Sequence, residues 1–171
     1  QPALLQLFTH LFVAGPDVFS WESDARVMVS VDGHSWHEII LRDDVAALYE
    51  VLHDGQQFIA AGSDATVFAS PDGYSWKELL TPVDRVDYLS AASNGSRLVV
   101  AGGITWWYWW VGTPPFERPV GLSSIDGGAT WEIFNIDGYY QSNGMAWGNG
   151  HFVSVGQATP DSGEGAIYTW D

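Results

Sequence analysis

Cysteine is absent from the 171 residues, which excludes a disulfide framework, a thiolate metal site and a cysteine nucleophile. Lysine occurs once, at Lys77, and the cations are far outnumbered by 21 acidic residues, leaving a net charge of −15. Such a surface repels phosphate backbones and anionic membranes, so no nucleic-acid partner is expected. No apolar run reaches the roughly 18 residues of a membrane-spanning helix, so no span is expected. Helix-period patterning is missing as well. The start, Gln1-Pro2-Ala3-Leu4-Leu5, has no basic n-region and reads as strand, not signal peptide. A start without Met fits a processed or excised chain. His10, His34, His37, His53 and His151 are scattered over turns and strand ends, and no carboxylate run matches a calcium loop. Neither a metal nor a cofactor is expected.

Tryptophan, by contrast, is abundant, with ten copies. Several of them fall in a repeat. Ser30-Val31-Asp32-Gly33-His34-Ser35-Trp36 matches Ser70-Pro71-Asp72-Gly73-Tyr74-Ser75-Trp76, and both match Ser124-Ile125-Asp126-Gly127-Gly128-Ala129-Thr130-Trp131. The aspartates lie 40 and then 54 residues apart. A fourth copy begins at Thr169-Trp170-Asp171, 45 residues after Asp126. Upstream of each box runs a second motif: Phe12-Val13-Ala14-Gly15, Phe58-Ile59-Ala60-Ala61-Gly62, Leu98-Val99-Val100-Ala101-Gly102 and Phe152-Val153-Ser154-Val155-Gly156. Asp54-Gly55, Asn94-Gly95 and Asn149-Gly150 precede three of these. Such dipeptides between apolar runs predict type I′ hairpins, whose two central residues need positive φ.

Each repeat therefore predicts four short antiparallel strands, A to D. In the second repeat these cover about 45–52, 57–62, 66–70 and 75–80. Four hairpin-linked strands in 40 to 55 residues are the mark of a β-propeller blade. The expected fold is all-β, a propeller of four-stranded antiparallel blades at about 1–44, 45–84, 85–136 and 137–171, with the last incomplete.

The boxes resemble the Asp-box family, or BNR repeats, whose pattern is Ser-x-Asp-x-Gly-x-Thr-Trp and which occur in sialidases. The third box fits at full length, and the first two are one residue shorter. Physical reasoning gives the box a structural role. Asp32, Asp72 and Asp126 can accept hydrogen bonds from their own turn amides. Gly33, Gly73 and Gly128 supply positive φ. Trp36, Trp76 and Trp131 bury rings between strands, and Ser30, Ser70, Ser124 and Asp171 complete the set. The resemblance implies the same, with the boxes on the face away from the binding site.

The A–B and C–D turns are tight, whereas the B–C loops vary, and irregular segments on a rigid scaffold are where function concentrates. The first such loop holds Trp21, Glu22, Asp24 and Arg26, and the fourth holds Asp161 and Glu164. The third contains Trp106-Trp107-Tyr108-Trp109-Trp110, followed by Glu117-Arg118-Pro119. If extended, it points Trp106, Tyr108 and Trp110 one way and Trp107 and Trp109 the other. One face can pack on the propeller. The other suits a sugar ring or a protein interface. Trp21, Trp106–Trp110, Arg118 and Glu164 are the candidate ligand-binding residues.

The leading expectation is a non-catalytic, extracellular or cell-surface binding module for a glycan or protein ligand. The resemblance also brings in glycoside hydrolysis, which needs two carboxylates about 5–10 Å apart across a sugar. Asp24, Glu117, Asp161 and Glu164 lie on the loop side for that role. A sialidase also needs an arginine cluster, and Arg118-Pro119 is a faint match to the family's Arg-Ile-Pro element. A third expectation is an assembly protein using the Trp-rich insertion as an interface. About fifteen strands are visible where four closed blades need sixteen. The run is then a piece of a larger propeller, a ring with one three-stranded blade, or a chain that self-associates to complete its ring.

Overall fold

In a computed structural model of the chain, residues 10–13, 24–43, 47–83, 86–104, 120–136, 141–158 and 164–170 are described. They form fourteen β-strands and no helix, and so no helix that could cross a membrane. The first sheet contains β1 (His10–Val13), β2 (Ala25–Ser30) and β3 (His37–Arg42). The second contains β4 (Leu48–His53), β5 (Phe58–Gly62), β6 (Val67–Ser70) and β7 (Lys77–Leu79). The third contains β8 (Val86–Ser93), β9 (Leu98–Ile104), β10 (Val120–Ser124) and β11 (Glu132–Asn135). The fourth contains β12 (Gln141–Gly148), β13 (His151–Gln157) and β14 (Gly165–Trp170). In each sheet the strands lie in chain order and pair antiparallel. The first strand expected in the first repeat falls outside the described residues.

The sheets pack face to face in sequence. β4 lies against β8, β8 against β12, and β1 against β4. Ala25, Val27 and Val29 of the first sheet meet Leu48, Ala60 and Phe68 of the second. Ile59, Ala61 and Val67 on the opposite face of the second meet Leu98, Val100 and Leu122 of the third. Side chains alternate across a strand, so a sheet packed on both faces needs apolar residues at every position. Phe58-Ile59-Ala60-Ala61 is such a run. The seam between the third and fourth sheets differs. There Ser90, Ser142 and Ser154 are all buried, with Oγ separations of 2.6 Å (Ser90–Ser142) and 2.7 Å (Ser142–Ser154). Phe152, Phe134 and Trp170 pack beside them.

A bulge recurs at one register in the first strand of three sheets. It falls between Leu48 and Glu50, between Tyr88 and Ser90, and between Ser142 and Gly144. Opposite stand Gly62, Gly102 and Gly156 in turn. At Gly62 the reason for glycine is steric, because a Cβ would collide with the Ala47 carbonyl oxygen.

Two expectations need correcting. Of the three dipeptides, only Asn149-Gly150 forms a two-residue turn with both φ values positive. His53 pairs with Phe58 and Ser93 with Leu98, so Asp54-Gly55 and Asn94-Gly95 open four-residue loops. Asp54 Oδ1 accepts from the amides of Gln56 and Gln57, and Asn94 Oδ1 from those of Ser96 and Arg97. That side-chain cap replaces the need for a second positive φ. The fourth box is also displaced. Ser70 lies opposite Phe58 and Ser124 opposite Leu98, but Trp170, not Thr169, lies opposite Phe152. Trp170 turns inward onto Phe134, its ring 5.7 Å away, and Thr169 is exposed.

Candidate functional site

The two ends of the sheets are chemically different. At the turn end, each box is closed by its own polar side chains. Asp32 Oδ1 accepts from the amides of Ser35 and His34, both at 2.7 Å. Asp72 Oδ1 accepts from Ser75 and Tyr74 at 2.7 and 2.8 Å. Asp126 accepts from the Thr130 hydroxyl at 2.6 Å and the Thr130 amide at 2.8 Å. These bonds favour the ionised form and hold all three carboxyls at about 2. The buried hydroxyls of Ser30, Ser70 and Ser124 each donate to the box aspartate and accept from a glycine amide of the turn, that of Gly33, Gly73 and Gly128 respectively. The carboxylates are thus turn acceptors, not poised acids or nucleophiles.

The glycines and tryptophans of the boxes vary with position. Gly33 and Gly73 each hold one positive φ, whereas the longer third box needs two, at Gly127 and Gly128. A Cβ on Gly128 would also collide with Leu79 of the second sheet. Trp76 packs between the first two sheets, and its Nε1 donates to the Gly73 carbonyl at 2.9 Å. Trp131 packs between the second and third. Its Nε1 is buried with no acceptor among the described residues. Trp36 is the exception to expected burial, at 37% exposure, because no described sheet lies over it.

At the opposite end, the bulge on β4 inserts Tyr49 as an extra residue and leaves it 41% exposed. Its hydroxyl shares a hydrogen bond with Ser63, and partial burial together with the nearby Asp87 raises its pKa. Ser63-Asp64-Ala65-Thr66 is a tight turn with φ of 53° at Asp64 and 59° at Ala65, conformations that non-glycine residues seldom adopt. Its own sheet and the third hold it. The Ser63 amide donates to the Ala47 carbonyl at 2.8 Å, the Ala65 amide to the Val86 carbonyl at 2.6 Å, and the Asp64 amide to Asp87 Oδ1 at 3.1 Å. Arg42 pairs with Glu78 at 3.1 Å and reaches Asp64 at 4.0 Å. The result is a half-exposed tyrosine near the Asp87 carboxylate, its hydroxyl bonded to the Ser63 turn. Deeper on β4, burial raises the Glu50 carboxyl.

Among the residues chosen from sequence for ligand contact, Glu164 is described. It is exposed, and its carbonyl accepts from the Ala158 amide at 2.9 Å. Trp21, Trp106, Trp107, Tyr108, Trp109, Trp110 and Arg118 lie outside the described residues, as do Glu22, Glu117, Asp161 and Asp171. Arg26 and Asp24 of the first loop are engaged with one another, and Arg26 also pairs with Glu38 at 2.9 Å. Tyr49, Asp64, Asp87 and Arg42 were not singled out, because Tyr49 sits in an apolar run that reads as plain strand. A groove of about 470 Å³ at the rim of the third and fourth sheets is lined by Arg97, Glu132, Phe134, Ile136, Tyr168 and Trp170. Among the described residues, no group of three His, Asp or Glu side chains could hold a metal. Compared with family models and with curated proteins, the chain matches none.

Proposed function

We propose that the chain is a non-catalytic Asp-box β-propeller module that binds a ligand at its B–C loop end, outside the cell or at its surface. The propeller reading is supported by successive antiparallel sheets packed face to face, with the first strands β4, β8 and β12 in contact in order. The binding reading rests on the contrast between the two ends. Box carboxylates are saturated by turn amides, while the β4 bulge presents Tyr49 near Asp87. An aromatic face next to acceptor oxygens suits a sugar, which stacks its apolar face and donates its hydroxyls. A protein ligand is the second class such an aromatic anchor serves.

A glycan array against the wild type, Tyr49→Ala and Trp107→Ala tests the proposal. The expected result is selective binding by the wild type, at least tenfold weaker in Tyr49→Ala with an unchanged melting temperature. No glycan bound by the wild type removes the glycan class. Hydrolysis of a bound glycan overturns the non-catalytic reading.

A further inference from the structure

We propose that the exposed face of the fourth sheet is an interface for the first sheet of a second copy of this chain. The inference extends the propeller reading to assembly and does not depend on the ligand. Each sheet has a forward face toward the next sheet and a rear face toward the preceding one. Forward positions are filled by the pairs Ala61–Val67 in the second sheet and Ala101–Gly121 in the third, all of them buried. The same register in the fourth sheet holds Val155–Ile167, which are larger yet 46% and 72% exposed. Val153, Ala146 and Thr169 share that face, and none is charged.

The first sheet offers the complementary surface. Rear faces are filled by Ala60–Phe68 in the second sheet and Val100–Leu122 in the third, each packed on the sheet before. At the matching register of the first sheet stands Met28 of β2. On the same face Ile40 is 53% exposed, and Trp36, whose counterparts Trp76 and Trp131 are packed into seams, is 37% exposed. The charges there are Arg26 and its two ion-pair partners, Asp24 and Glu38. Among the described residues, then, one forward face and one rear face are left without a partner sheet. They match in kind, and joining them continues the three seams already present within the chain. Two copies related by a two-fold axis make that seam twice and close on themselves. Arg26 with its two carboxylate partners leaves one negative charge at the rear face, so the −15 of each chain is not concentrated at the contact.

Sedimentation velocity on the full chain tests this. The wild type is expected to be a dimer, and Ile167→Asp and Ile40→Asp are each expected to be monomers with unchanged melting temperature, since both side chains are exposed within one copy. An equimolar mixture of the two variants retains one unaltered seam and should recover dimer. A monomeric wild type overturns the proposal, and so does a dimer insensitive to Ile167→Asp. Sensitivity to Ile167→Asp without sensitivity to Ile40→Asp also overturns it, because the contact is then fourth sheet to fourth sheet. None of these outcomes touches the packing of sheets within the chain, so the propeller reading stands or falls separately.

Discussion

The seam between the second and third sheets and the seam between the third and fourth solve one problem with different chemistry. The former is filled by Ile59, Val67, Val100 and Leu122. The latter holds three hydroxyls, of Ser90, Ser142 and Ser154, and adds stacked rings of Phe152 and Trp170 5.8 Å apart. An apolar seam gains in proportion to the area it hides and tolerates some loss of fit. A hydroxyl chain gains little net, but a single broken member leaves buried partners unsatisfied. The two seams should therefore fail differently.

The largest effect is expected in the apolar seam. Ile59→Ala opens a cavity between the second and third sheets and should cost about 2–5 kcal/mol in denaturant unfolding. Gly128→Ala drives a methyl into Leu79 at the same seam and forces a positive φ on alanine, at about 1–3 kcal/mol. Ser142→Ala removes the middle hydroxyl of the other seam and takes a buried partner from both Ser90 and Ser154, again at about 1–3 kcal/mol. If hydrogen-bond pairing is the cause, adding Ser90→Ala and Ser154→Ala should not deepen that loss and should recover part of it. A triple variant whose loss is the sum of three singles would put the polar seam on the same footing as the apolar one.

Acid gives the smallest and most local effect. Box carboxyls fold with pKa values of about 2, below the ordinary 3.8. Their contribution is complete above about pH 4 and is lost as pH falls toward 2. The third box is tied to the second sheet, because Gln57 Nε2 donates to the Gly127 carbonyl at 2.9 Å. Hydrogen exchange should accordingly show loss of protection at 124–131 before 151–156 as pH falls from 4 to 2. Simultaneous loss would mean that the box carboxylates do not stabilise this seam locally.

Much of the fold was legible because the box spends polar residues at fixed spacing. Ser70, Asp72 and Gly73 are needed for one turn geometry and little else fits. The strands of the second repeat were legible for a similar reason, since unbroken apolar runs such as Phe58-Ile59-Ala60-Ala61 are punctuated by Asp54-Gly55 and Asp72-Gly73. The bulges were not, because the extra residues, Tyr49, Leu89 and Asn143, share no chemistry. What they share is an opposing glycine, Gly62, Gly102 or Gly156, which is a matter of strand register. The fourth box misled because Thr169-Trp170-Asp171 copies the pattern of Ser-x-Asp, while the bulky Trp170 is drawn one place inward by Phe134 and Phe152. The candidate site was the least legible part. Tyr49 is set at the edge by a bulge, and Asp64 by a turn without glycine.

The serine chain has one more consequence. When Ser90 Oγ gives its single proton to the Ala101 carbonyl, 3.3 Å away, Ser142 donates to Ser90 and Ser154 to Ser142. Three O–H dipoles point the same way from the fourth sheet into the third, each polarising the next. The seam is not only polar but oriented, a one-way wire of bond dipoles that gives an otherwise repetitive stack a built-in electrical sense.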